Sequence, residues 1–112
     1  LIAWQKANLL AELIYKFTSV FPRYETFGIT SQLRRAGLSV ALNIVEGYAR
    51  NNKKEFHRFL GIALGSLAET EYLLEFSFKQ KYFTPNQYNQ LVDLSEEVGR
   101  ILWKLYLSQK SD

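Results

Sequence analysis

The chain has no cysteine and no methionine, a single histidine, His57, and only two prolines, Pro22 and Pro85. Without cysteine, neither a disulfide scaffold nor a thiolate zinc site can form, and the composition suits a reducing cytoplasm. With one histidine, any nucleophile–histidine pair would have to be built on His57, and its neighbours Glu55 and Arg58 suit an exposed histidine in the first turn of a helix. The Glu-x-x-His pair that holds metals inside helical bundles is missing. Glu71 and Glu75 stand one turn apart beside Glu69, a spacing better explained by a solvated face than by a working carboxylate pair. No catalytic residue, cofactor or metal is therefore expected. No apolar run approaches the roughly 20 residues that cross a bilayer, and the first residues lack the layout of a secretory signal, so a cytoplasmic protein with no membrane contact is expected. A phosphate-cradling glycine loop is also missing, because Gly61 and Gly65 fall inside a helical pattern rather than at a strand-to-helix turn.

What is present is apolar substance and unevenly placed charge. Hydrophobic residues make up 47% of the 112 residues and aromatic ones 15%, enough for one domain with its own core. The net charge is only +3, yet residues 34–58 hold six basic side chains, Arg34, Arg35, Arg50, Lys53, Lys54 and Arg58, against Glu46 and Glu55. Residues 61–112 are net acidic. Such asymmetry points to an anionic partner.

The segment Ser31–Arg50 organises the rest. At 100° per residue, Leu33, Ala36, Gly37, Val40, Ala41, Ile44 and Tyr48 share one apolar face. Leu38, Leu42, Val45 and Ala49 fall outside it, so this helix should be covered on a second side, by its own bundle or by another subunit. The remaining strip carries Ser31, Arg35, Ser39, Asn43, Glu46 and Arg50. Ser39, Asn43 and Glu46 read as a hydrogen-bonded polar cluster that fixes helix ends or a subunit contact.

Helices are predicted over about 2–20, 29–50, 53–80 and 85–107. The first should stop before Phe21-Pro22, and the aromatic connection that follows should fold back on the bundle, with Thr26 or Thr30 capping the second helix. Asn52 with Glu55 reads as a capping box opening the third helix, and Thr84-Pro85-Asn86-Gln87 as one opening the fourth. The tail from Ser108 should fray. Gly61, Gly65 and Ala68 share one side of the third helix, where close packing of another backbone or a binding surface would account for them. With no strand pattern and three short connections, the fold class is all-α, an antiparallel up-down-up-down four-helix bundle. In that arrangement Arg50, Lys53, Lys54 and Arg58 gather where the second helix hands over to the third, suited to phosphates. Arg34 and Arg35 lie at the opposite end, roughly 20–25 Å away at 1.5 Å per residue.

Trp4-Gln-Lys-Ala7, Ile14-Tyr15, Phe21-Pro22, Gln32-Leu33-Arg34-Arg35-Ala36, Asn43-Ile44, Glu46-Gly47, Glu55-Phe56, Phe59-Leu60, Gly65-Ser66 and Glu69, in this order and spacing, resemble the proteins encoded in intervening sequences of bacterial 23S ribosomal RNA genes. The resemblance implies a cytoplasmic bacterial four-helix bundle without catalytic activity. The same fold family includes the accessory variability protein of diversity-generating retroelements, a ring-shaped homopentamer that binds nucleic acid and a reverse transcriptase. By that resemblance a homopentamer is expected, with RNA or DNA, or a protein such as a polymerase, as partner. Gly37 and Val45 depart from the alanine usual in the family, and Leu64 replaces a commonly polar or basic residue, removing a charge from the third helix.

Overall fold

The computed structural model describes residues 1–110. Four α-helices follow one another: α1 (Ile2–Thr18), α2 (Ile29–Ala49), α3 (Lys53–Lys79) and α4 (Pro85–Ser108), with one 3-10 turn at Arg23–Glu25 between α1 and α2. Each boundary lies within two residues of its predicted place. Of the C-terminal tail, Ser111 and Asp112 lie outside the described residues.

Cross-helix contacts give the direction of packing. On α3 and α4, His57 meets Tyr106, Glu71 meets Ser95 and Phe78 meets Tyr88, so one helix climbs as the other descends. Ser39–Ser66 and the approach of Gly47 to Phe59 do the same for α2 and α3, and Ile14 against Gly37 with Thr18 against Arg34 for α1 and α2. Lys6 on α1 pairs with Glu97 on α4 at 3.3 Å, closing the four helices on one another. The body measures 47 × 24 × 18 Å.

The core is the meeting line of the four apolar seams: Leu10 and Ile14 from α1, Leu33, Val40 and Ile44 from α2, Leu60 and Leu74 from α3, Leu91, Val98 and Leu102 from α4, all without meaningful exposure. Burying such a side chain stabilises the fold by about 1.5–3 kcal/mol. The predicted α2 face holds from Leu33 to Ile44, whereas Tyr48 is largely exposed. Two polar atoms are stranded inside, Thr30 Oγ1 and Ser77 Oγ, with no partner among the described residues. Ser77→Ala removes an unmet hydroxyl and places the best helix former at a helical site. It should therefore raise stability by about 1–2 kcal/mol, seen as a higher urea midpoint at unchanged slope.

The helix ends are set by local chemistry. Thr84 accepts from the Gln87 N–H at 3.1 Å while Gln87 Oε1 accepts from the Thr84 N–H at 3.0 Å, the reciprocal box read from the sequence. Asn52 Oδ1 accepts from the Glu55 N–H at 2.9 Å, but Glu55 does not reach back; its carboxylate turns to Arg58. Neither Thr26 nor Thr30 caps α2. Thr26 Oγ1 donates to the Arg23 carbonyl, Gly28 holds the cap position, and Glu25 Oε1 accepts from the Ile29 N–H at 3.4 Å. Phe21 folds inward against Tyr82 and Phe83 as expected, yet Tyr24 and Phe27 of the same connection are 79% and 97% exposed. Asn51 and Lys81 make the reversals at the ends of α2 and α3 with φ of 51° and 66°, a conformation asparagine tolerates better than lysine.

Candidate nucleic-acid interface

The α2–α3 corner is built by Asn51 and Asn52: the first turns the chain in the left-handed region and the second caps α3. The turn places Arg50, Lys53, Lys54 and Arg58 in an exposed group, as the sequence predicts. Their electrostatic states differ. Arg50 pairs with Glu46 at 3.3 Å and Arg58 with Glu55 at 3.0 Å. Both guanidinium carbons lie near the ring of Phe59, 5.0 Å and 4.4 Å from its centroid, so Phe59 fixes them as a pair. The hydrogen bond from Arg58 holds the Glu55 carboxyl below its ordinary value, and Glu55 in turn raises Arg58. Lys53 and Lys54 have no carboxylate partner among the described residues. Among those residues they carry the corner's uncompensated positive charge.

The other arginine pair divides. Arg34 turns inward, its Nε donating to Thr18 Oγ1 at 2.8 Å and its guanidinium to the Tyr15 carbonyl at 3.1 Å while lying over the Tyr15 ring. It serves the carbonyl end of α1 and stays half-buried, a structural duty that the sequence does not announce. Arg35 stays exposed and lines a groove with Gln32, Ser39 and Glu69.

The polar cluster forms in part. Asn43 Nδ2 donates to the Ser39 carbonyl at 2.8 Å and to Ser39 Oγ at 3.0 Å, and Ser39 Oγ bonds Ser66 Oγ at 2.9 Å across α2 and α3. Glu46 stands outside it, on Arg50. The close packing expected of Gly61, Gly65 and Ala68 is not found within the chain as a set. Gly61 faces the Tyr106 ring, Gly65 has nothing within 4 Å of where a Cβ would sit, and Ala68 is exposed. The tight glycines inside a helix are Gly37 and Gly47 on α2. The Glu71–Glu75 pair is also split, because Glu71 accepts from Ser95 Oγ at 3.3 Å and Glu75 pairs with Lys79. Loss of hydration raises the Glu71 carboxyl above its ordinary value.

His57 is not the exposed histidine expected. It is half-buried, stacked on Tyr106 with centroids 4.0 Å apart, and its Nδ1 lies 3.0 Å from the Tyr106 carbonyl. A carbonyl only accepts, so Nδ1 carries the proton and caps an end carbonyl of α4. That contact brings the end of α4 to the basic corner. Gln109 and Lys53 share one shallow cavity of about 240 Å³ there, so the cations Lys104 and Lys110 at the end of α4 belong to the same end of the molecule. The sequence signal for them was an acid-free stretch, Gly99–Lys110, which pattern reading of residues 34–58 alone passes over.

Fold and corner together define an all-α four-helix domain with a cationic end. Among the described residues there is no cluster of histidine and carboxylate side chains able to hold a metal ion, and no helix long and apolar enough to cross a membrane. The chain belongs to the 23S rRNA-intervening sequence protein family, whose model matches residues 1–104. It is similar to a crystal structure of a protein with unknown function from the S23 ribosomal protein family of Bacteroides thetaiotaomicron. The two chains are 30% identical, with a TM-score of 0.82 over 93% of this chain and 97% of that one. No curated protein matches.

Proposed function

We propose that this chain is a non-enzymatic, cytoplasmic, homo-oligomeric bundle that binds structured RNA or DNA through backbone phosphates. The observation that carries the reading is the pair Lys53 and Lys54 at the first turn of α3, uncompensated among the described residues and flanked by the ring-held guanidinium groups of Arg50 and Arg58. Lysines, arginine forks and helix N–H groups all favour phosphate oxygens. Arg35 is a secondary contact; Arg34 contributes only field. Assembly is supported by the outward α2 strip of Leu38, Leu42 and Val45, which are 38%, 55% and 48% exposed and carry no charge. A ring of five, expected from the fold family that the resemblance implies, would repeat the basic corner around one axis.

The test is Lys53→Glu/Lys54→Glu in a salt titration with a structured RNA and a DNA duplex. The variant should fold as the parent does, bind about tenfold or more weakly near physiological salt, and show a salt slope shallower by about 2. Unchanged affinity, or parental binding insensitive to salt, would sink the proposal. A second reading, a scaffold that docks a protein such as a polymerase, is favoured by Gly65, whose bare backbone faces solvent one turn from the exposed Ile62. A polymerase that stays bound after nuclease treatment would favour it.

A further inference from the structure

Beside the basic corner stands a column of three rings. His57 stacks on Tyr106 at 4.0 Å and 21°, and Tyr106 on Trp103 at 5.4 Å and 26°. Gly61 makes it possible: a Cβ there would lie 3.3 Å from Tyr106 Cε1, so the glycine admits the ring against α3 while the His57–Tyr106 carbonyl bond fixes its height. The column ends in solvent at Trp103, which is 52% exposed. Exposed cations stand one helical turn from either end of it. Lys53 precedes His57 by one turn of α3, Arg100 precedes Trp103 by one turn of α4, and between Gly99 and Lys110 there is no acid. Glu55, the nearest acid on α3, is engaged by Arg58.

A pre-ordered aromatic stack with a free outer face, set among cations that have no carboxylate partner among the described residues, has the parts that hold an unpaired base: a π surface for the base and positive charge for its phosphates. We propose that an unpaired base of single-stranded nucleic acid stacks on the outer face of Trp103, with its flanking phosphates on Lys53, Lys54 and Arg100. This rests on the reading that the chain binds nucleic acid, and it names the form taken: strands with unpaired bases are preferred to closed duplex. Trp103 is the stacking residue, and Tyr106, His57 and Gly61 position it.

The experiment uses fluorescein-labelled single strands of about twelve nucleotides, one of RNA and one of DNA, beside a duplex of equal length. Wild type, Trp103→Ala, Trp103→Tyr and Lys53→Glu/Lys54→Glu are compared by anisotropy, after melting curves show each variant folded. Trp103 emission is read in a Trp4→Phe background. Expected are quenching of that emission by single strands, about tenfold weaker single-strand binding by Trp103→Ala, recovery of most of it by Trp103→Tyr, and duplex binding within about twofold of wild type. A stronger effect on one of the two single strands identifies RNA or DNA as the preferred form. If Trp103→Ala binds single strands as wild type does while the lysine variant weakens them, stacking is overturned and the phosphate reading stands. Equal losses on single strand and duplex overturn stacking as well. Failure of every probe to bind overturns both.

Discussion

Gly47→Ala should destabilise the protein by about 2–3 kcal/mol, although alanine gains about 1 kcal/mol over glycine inside a helix. A Cβ at Gly47 would lie 2.6 Å from Phe59 Cβ and 3.1 Å from Phe56 Cδ1. The first of these atoms is fixed to the α3 backbone and has no rotamer by which to withdraw, so α2 and α3 would have to separate. That separation would be felt at the corner. Phe59 is the ring near which Arg50 and Arg58 are held, and α2 ends two residues after Gly47. Urea unfolding of Gly47→Ala measures the loss. Phe59→Leu should not rescue it, because leucine keeps the offending Cβ. A midpoint at or above that of wild type would show that the two helices are not in the contact described.

Gly37→Ala poses the same question with a different outcome. Its Cβ would meet Ile14 Cδ1 at 2.7 Å, while Ile14 Cγ1 lies at an ordinary 3.9 Å. The obstacle is the end of a side chain and can be removed. Alone, Gly37→Ala should cost about 1–3 kcal/mol by overpacking, and Ile14→Val about 0.5–1.5 kcal/mol by the methyl group it removes from a fully buried site. Together the new methyl occupies the space the old one leaves. The double variant should then approach wild-type stability, with a favourable coupling of about 1–3 kcal/mol in a double-mutant cycle. Additive losses would mean that the strain is in the backbone.

These two glycines mark the limit of what the chain reveals before it folds. The starts of α3 and α4 were legible because each is a local event, Asn52 and Thr84 supplying oxygens to N–H groups three residues on, whereas the cap of α2 was not, since Glu25 and Gly28 take the place expected of Thr26 or Thr30. The all-α class and the core followed from periodicity, which depends on one helix at a time. Close approach does not. Gly61 and Gly65 share a side of α3 and looked alike, yet one faces Tyr106 and the other no described residue, and Gly47, given no packing role by the sequence, is the tightest. That depends on the register between helices, which no single helix encodes.

The candidate site divides along the same line. The gathering of Arg50, Lys53, Lys54 and Arg58 follows from a short turn and was legible. Which of them keep their charge uncompensated depends on whether a carboxylate lies one turn away on the right side, and Glu46 and Glu55 do for the arginines alone. The inward turn of Arg34 depends on Thr18 and Tyr15 across a helix pair. His57 looked solvent-facing because its partner, Tyr106, is 49 residues distant.

One further consequence follows from where the rings lie. Trp4 shares a cavity of about 330 Å³ with Tyr48 and Ala49 at the end of α2, and Trp103 closes the column beside the start of α3. The tryptophans are two in number and stand at the same end of the bundle. Phe21, Tyr24 and Tyr82 pack at the other. The protein therefore carries an optical asymmetry along its long axis. Indole emission reports the cationic end alone in an unlabelled sample, whereas tyrosine signals draw on both ends, from Tyr48 and Tyr106 at one and Tyr24 and Tyr82 at the other.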